Sequence, residues 1–278
     1  MMLQYSKFVK IAREVSRRGG LPSINYIETS TWARQEHNGF SHQNPSFIGA
    51  VLNIKPEAAR VYLPPDANCF LSTIDHCLQS RNKTNLHCRL GASIWQWASS
   101  SPSADPDVVL VGIGVEVTFE VVKAAELLRT ISPTLRIRVI NVTDLMILVP
   151  QSKHPHAMSR EKFEEMFTAD RPVLFNYHGY PTELQGLLFG QPAMDRMDVG
   201  GYIEVGSTTT PFNMMLVNRV SRFNLARKAL RAGAGRNGEV KGKLEGLLRE
   251  VKGRVEDVKK FSFEHGKTDD IYELPRFS

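Results

Sequence analysis

Apolar and polar residues alternate along this chain in blocks whose period switches repeatedly between helix and strand. Phe8, Ile11, Ala12 and Val15 recur at helical spacing, predicting a helix over 5–18 that stops at Gly19-Gly20. Ile24-Asn25-Tyr26-Ile27 predicts a short strand, and the next block, 35–45, has no apolar period and reads as a loop. Phe47 to Leu52 suits either a buried helix or a strand. Arg60-Val61-Tyr62-Leu63 predicts a strand closed by Pro64-Pro65, and Phe70, Leu71, Ile74 and Leu78 mark one stripe of a helix over 66–80.

The second half repeats the pattern. Strands are expected over 107–114, 135–142, 172–176 and 202–205, with helices over 120–129 and 160–167. Thr210-Pro211 is an N-cap followed by proline at the first helical position, opening a helix that carries Met214 to Leu230. A final helix is expected over 239–261. Strands alternating with helices argue for an α/β fold with a largely parallel sheet. Ala92 to Ala98, with Trp95 and Trp97, closes a first unit. Ser99-Ser100-Ser101-Pro102-Ser103-Ala104-Asp105-Pro106 has linker composition, so the expected division is 1–98, linker 99–106 and 107–278.

Composition narrows the class without changing this picture. At 278 residues, 42% hydrophobic and 23% charged, the chain has the balance of a soluble globular protein. It has no membrane-spanning run and no secretory signal, and its three cysteines (Cys69, Cys77, Cys88) suit reduced thiols, so a cytoplasmic address is expected. The surplus of +6 lies wholly from Arg219 onward, where 15 Lys and Arg meet 9 Asp and Glu. Acids interrupt that basic stretch throughout, which reads as a solvated amphipathic helix rather than a nucleic-acid or membrane surface.

Candidate chemistry concentrates in Gln35-Glu36-His37-Asn38-Gly39-Phe40-Ser41-His42-Gln43-Asn44-Pro45. Polar side chains crowded on a loop at a strand end are how α/β proteins build ligand sites. Other motifs fall away. Gly112-Ile113-Gly114 lacks the third glycine of a dinucleotide fingerprint, Val117 standing in its place, and reads as a tight strand–helix turn. Neither His37 with His42 nor His154 with His156 is spaced to hold a metal on one helical face. His154-Pro155-His156 reads as surface loop and His178 as a satisfied structural histidine.

The run Thr29-Ser30-Thr31-Trp32-Ala33-Arg34-Gln35-Glu36-His37-Asn38-Gly39-Phe40-Ser41-His42-Gln43-Asn44-Pro45, continued by Tyr62-Leu63-Pro64-Pro65-Asp66-Ala67-Asn68, resembles phosphoketolase. That family uses thiamine diphosphate and Mg2+ to cleave xylulose 5-phosphate or fructose 6-phosphate with inorganic phosphate, giving acetyl phosphate. The resemblance implies part of a pyrimidine-binding α/β domain followed by a transketolase-like carboxy-terminal α/β domain. It implies that Gln35 and His42 face the reacting end of the ketose, where an imidazole can shuttle protons. It implies that His37 and Asn38 bind the sugar farther along, towards its phosphate. The carbanion chemistry belongs to the cofactor.

The sequence also departs from the family. An internal deletion near 83–87 removes a strand and a lysine loop, and Lys83 does not inherit that lysine's role. The diphosphate-binding domain and the activating glutamate lie outside this sequence, and neither Glu28 nor Glu36 replaces that glutamate. Asn213 and Asn224 stand where the family carries an acidic residue and a histidine. The expectation is a truncated phosphoketolase, inactive alone. The partners implied are ketose phosphate, inorganic phosphate, and either a full-length phosphoketolase or a second copy of this chain. The rival readings are a non-catalytic partner that tunes a full-length enzyme, and a gene fragment.

Overall fold

The computed structural model describes residues 2–15, 17, 21, 23–27, 45–54, 59–79, 91–100, 105–203 and 210–266. Among these described residues five strands form one sheet: β1 (Ala92–Ile94), β2 (Val108–Ile113), β3 (Ile137–Val142), β4 (Val173–Tyr177) and β5 (Met197–Gly200), in the order β1-β3-β2-β4-β5. All pairings are parallel except β1 with β3. Every residue of β2 and β4 is buried, so the sheet's centre is covered on both faces; the runs are apolar except for Asn176, whose amide donates to Val117 O and Val220 O.

Alternate side chains of each strand enter two different cores. Val108, Leu110, Val139 and Leu174 pack against α4 (Val115–Ile131), α8 (Arg222–Gly233) and α9 (Gly238–His265). Val109, Val111, Ile113, Ile140 and Phe175 pack on the opposite face. There they meet α5 (Arg160–Phe167), α6 (Pro181–Leu188) and the 3-10 turn Leu145–Leu148. The result is a three-layer α/β/α unit. One buried ion pair, and a second with a buried carboxylate and an exposed arginine, brace it. Arg222 forks onto Glu120, with Nη2 2.6 Å from Oε1 and Nε 3.0 Å from Oε2, tying α8 to α4. Asp107 takes Arg136 Nη2 at 2.6 Å and the Arg136 backbone N–H at 3.0 Å.

Of the first stretch, α1 (Met2–Glu14), α2 (Ser46–Leu52) and α3 (Ala67–Gln79) are helical. The expected strand at 24–27 does not form: residues 23–27 are irregular. Local alternation cannot supply the neighbouring strand that a ladder needs. The expected strand at 60–63 is reduced to a single antiparallel bridge, Tyr62 to Asp144.

Residues 92–100 are hydrogen-bonded onto the sheet. Trp95 N–H donates to Val139 O at 2.9 Å, Ser99 Oγ accepts from Val139 N at 3.0 Å, and Ser100 Oγ accepts from Ile137 N at 2.7 Å. Of the strand expected at 202–205, residues 202–203 are irregular and 204–205 lie outside the described residues; the strand observed nearby is β5, upstream. The single helix expected after Thr210 is broken into α7 (Pro211–Val217) and α8, with Arg219 at φ 59° between them. Thr210 caps α7 through Asn213 N and Ser221 caps α8 through Asn224 N. Asn213 and Asn224 therefore stand as first-turn residues of their helices.

Candidate functional site

Gln35, His37, Asn38 and His42 lie outside the described residues, as do Glu28, Glu36, Lys83 and Cys88. What the structure places is the frame around the loop. Tyr26, before the loop, meets Phe47, after it, edge to face with ring centroids 5.8 Å apart. Both ends of the segment are thus gathered at the start of α2, whose N-cap is Pro45. The ambiguous run 47–52 is helical, and Val51 buries against the core beneath β4.

A carboxylate fixes α2 to the sheet. Glu183, in the first turn of α6, accepts from the Tyr177 hydroxyl at 3.1 Å. Its carboxylate presses on Gly49, where a side-chain carbon would collide with Oε1. Glycine at that point of α2 therefore permits the close approach. Burial raises the Glu183 carboxyl above its usual range, opposed by hydrogen bonds from Tyr177 and from the backbone of Tyr180 and Gly49. Burial and the neighbouring Glu183 charge raise the Tyr177 phenol far above its ordinary value. The segment that follows the loop is thus held by α6 and the end of β4. Sequence reasoning missed this anchor, because nothing local links position 49 with position 183.

The carboxyl ends of β2 and β4, where α/β sheets commonly open a crevice, are closed by packing. A Cβ on Gly112 would meet the Thr118 backbone at 2.7 Å, and one on Gly114 (φ +108°) would meet His178 Cβ at 2.6 Å. Tyr202 N–H crosses to Gly179 O at 3.0 Å. The two glycines serve close strand–helix contact, as the tight-turn reading expects. Burial lowers the pKa of His178, with the nearby Glu116 charge opposing.

His154 is buried rather than on an exposed loop: its Nδ1 accepts from the His156 backbone N–H at 3.0 Å. The surface reading fails there because the side chain turns inward beside its own turn. Among the described residues no group of three or more His, Cys, Asp or Glu could hold a metal ion. None of the described helices is long and apolar enough to cross a membrane.

Comparison with known sequences covers the chain end to end. Residues 1–80 match the family described as D-xylulose 5-phosphate/D-fructose 6-phosphate phosphoketolase, and residues 76–275 match the XFP C-terminal domain. A probable phosphoketolase of Schizosaccharomyces pombe is 47% identical over 298 residues, covering 100% of this chain and 36% of its own length. That alignment is longer than the 278 residues here, so the relative carries residues this chain lacks. A probable phosphoketolase of Rhodopseudomonas palustris is 42% identical over 293 residues, covering 99% and 36%. This chain thus spans about a third of the length of these curated relatives.

Among solved structures, a transketolase from Leishmania mexicana superposes with TM-score 0.51 at 15% identity, covering 70% of this chain and 28% of that one. The likeness shows a shared α/β fold. Two contiguous family matches and relatives identical at more than four positions in ten place the chain in the phosphoketolase family.

Proposed function

We propose that this chain carries the sugar-facing loop and the carboxy-terminal domain of a phosphoketolase, and that its chemistry depends on protein parts beyond this sequence. In this reading residues 1–98 are part of a pyrimidine-binding domain and 107–278 the carboxy-terminal domain. β1 is then lent across the junction as an antiparallel edge strand. His42 and Gln35 hold and relay protons at the reacting end of a ketose phosphate. His37 and Asn38 bind it farther along, and inorganic phosphate is the second substrate. Thiamine diphosphate, when bound, supplies the carbanion chemistry.

The observation that carries the reading is the pair of family matches, which run the length of a chain only a third as long as its relatives. The Tyr26–Phe47 closure and the Glu183–Gly49 contact support it, because they hold both ends of the loop against the carboxy-terminal unit.

The test is the purified chain with thiamine diphosphate, Mg2+, xylulose 5-phosphate and phosphate, assayed for acetyl phosphate. No product above background is expected, and calorimetry is expected to show no magnesium-dependent cofactor binding. Turnover, or micromolar binding, overturns the dependence on missing parts.

A second reading has its own observation. Phe8, Ile11, Val15, Ile24, Tyr26, Ile27, Leu71 and Leu78 are exposed, a concentration of apolar surface in the first stretch. Such a surface suits docking on a full-length phosphoketolase or on a second copy.

A further inference from the structure

Among the described residues, a set of buried and half-buried titratable groups gathers where residues 61–63 run beside the turn that follows β3. Leu63 N–H donates to Thr143 O at 2.7 Å and Leu145 N–H to Val61 O at 3.2 Å, fixing the two segments side by side. Arg60, Tyr62 and His76 come from the first stretch, and Asp144, His154 and His156 from the second. Arg60 and Asp144 side chains are only 5% and 7% exposed.

The Arg60 guanidinium is satisfied on one side only. Its Nη1 donates to the Tyr62 hydroxyl at 2.9 Å and faces Asp144 Oδ2 at 3.8 Å. Nε and Nη2 are both buried and have no hydrogen-bond partner among the described residues. Those two nitrogens form one edge of the planar fork, the side-on edge that matches a carboxylate or phosphate with two parallel hydrogen bonds. Buried donors left unpaired are costly, and buried guanidinium groups above all.

Asp144 does not turn to that edge. Its Oδ1 is occupied as the cap of the 3-10 turn, accepting from Met146 N at 2.9 Å. Two histidine rings stand nearby. The His76 ring stands edge-on to Tyr62 with centroids 6.0 Å apart, and burial, followed by the charges of Arg60 and His76, lowers the pKa of His156. Burial also pushes the Tyr62 phenol up to about 12, so the phenol stays protonated and neutral near neutral pH. A metal ion is the wrong occupant for an edge made of guanidinium donors.

We propose that Arg60 anchors an oxyanion-binding site at this seam, taking a phosphate or carboxylate group of a small molecule on its Nε–Nη2 edge. The site uses none of residues 35–42, so its test and the test of the proposed function are read independently. It joins the first stretch to the carboxy-terminal unit, so an anion held there ties the two together.

The test uses the full chain with 15N-labelled arginine, following the Arg60 Nε–H resonance, which is assigned by its loss in Arg60→Lys. Inorganic phosphate, glycerol 3-phosphate and malonate are titrated separately against chloride at equal ionic strength. A saturable shift in the millimolar range or tighter is expected, with none in chloride. The arm that binds tightest names the source, whether free phosphate, phosphomonoester or carboxylate.

By calorimetry, Arg60→Lys is expected to weaken phosphate binding roughly tenfold to a hundredfold, because an ammonium cannot reproduce the fork. Asp144→Asn keeps a side-chain oxygen for Met146 and removes the competing charge, so it is expected to tighten binding. This variant decides the matter where Arg60→Lys does not fold. A shift that fails to saturate, an equal response to chloride, unchanged affinity in Arg60→Lys, or weaker binding in Asp144→Asn each overturns the proposal.

Discussion

Replacing Arg222 by Met removes one half of the buried pair that joins α8 to α4. Arg222 gives Glu120 two side-chain hydrogen bonds, at 2.6 and 3.0 Å, and a backbone one at 2.6 Å from the first residue of α8. Its guanidinium also lies 5.5 Å from the Phe119 ring centroid and 5.4 Å from that of Phe212. Met keeps the stem's packing and the backbone hydrogen bond, but strands a carboxylate whose side chain is 3% exposed.

Breaking a buried pair from one side costs ~3–5 kcal/mol, and the retained packing and backbone bond argue for the lower end, about 3 kcal/mol. In a unit of this size that is a Tm drop of roughly 6–12 °C. The assay is urea unfolding followed by near-UV dichroism and fluorescence, with coincident transitions required before a free energy is taken. Adding Glu120→Gln should recover about 1–2 kcal/mol, because the uncompensated charge is gone while an acceptor for the backbone N–H remains. A cost below about 1 kcal/mol for Arg222→Met, or a double variant less stable than the single one, would refute this account of the pair.

Two further outcomes follow from named contacts. Burial pushes the Asp107 carboxyl up, but the hydrogen bonds from Arg136 and Asn237 win and hold it below the usual range. Its stabilisation is therefore present above the unfolded carboxylate value near ~3.9 and is lost as pH falls through the lower folded value. Wild-type stability should accordingly fall more steeply than that of Asp107→Asn between about pH 5 and pH 2, and parallel acid melts contradict the sign. A fragment from residue 91 to 266 should melt cooperatively and at a higher temperature than one from 105 to 266. The shorter piece loses β1 and the Ser99 and Ser100 acceptors for β3 backbone N–H groups. Equal melts would show that these contacts contribute nothing.

The centre of the fold was legible because its signals are local. Six buried residues in a row made β2 plain, Arg160 to Phe167 was recognisable from its helical period, and Thr210-Pro211 announced the start of α7. Elements that depend on distant partners were misread. Ile24 to Ile27 alternates like a strand but finds no ladder, while Ala92 to Ile94 pairs with β3 across more than forty residues of chain. β5 is four partly exposed residues, too short to declare itself. At the candidate site, the loop residues and their family resemblance were readable in sequence. The Glu183–Gly49 anchor and the one-sided Arg60 fork were not, since each depends on where two remote segments meet.

The direct measurement of the loop's role is acetyl phosphate formation by a chimera in which residues 24–53 of this chain replace the matching segment of a full-length phosphoketolase. The chimera should turn over. His42→Ala should then reduce kcat by ~10²–10⁴, as loss of a proton-transfer group does, while His37→Ala should act mainly on KM. A folded chimera that forms no acetyl phosphate, or one in which His42→Ala keeps near-normal kcat while His37→Ala abolishes it, would contradict the assignment.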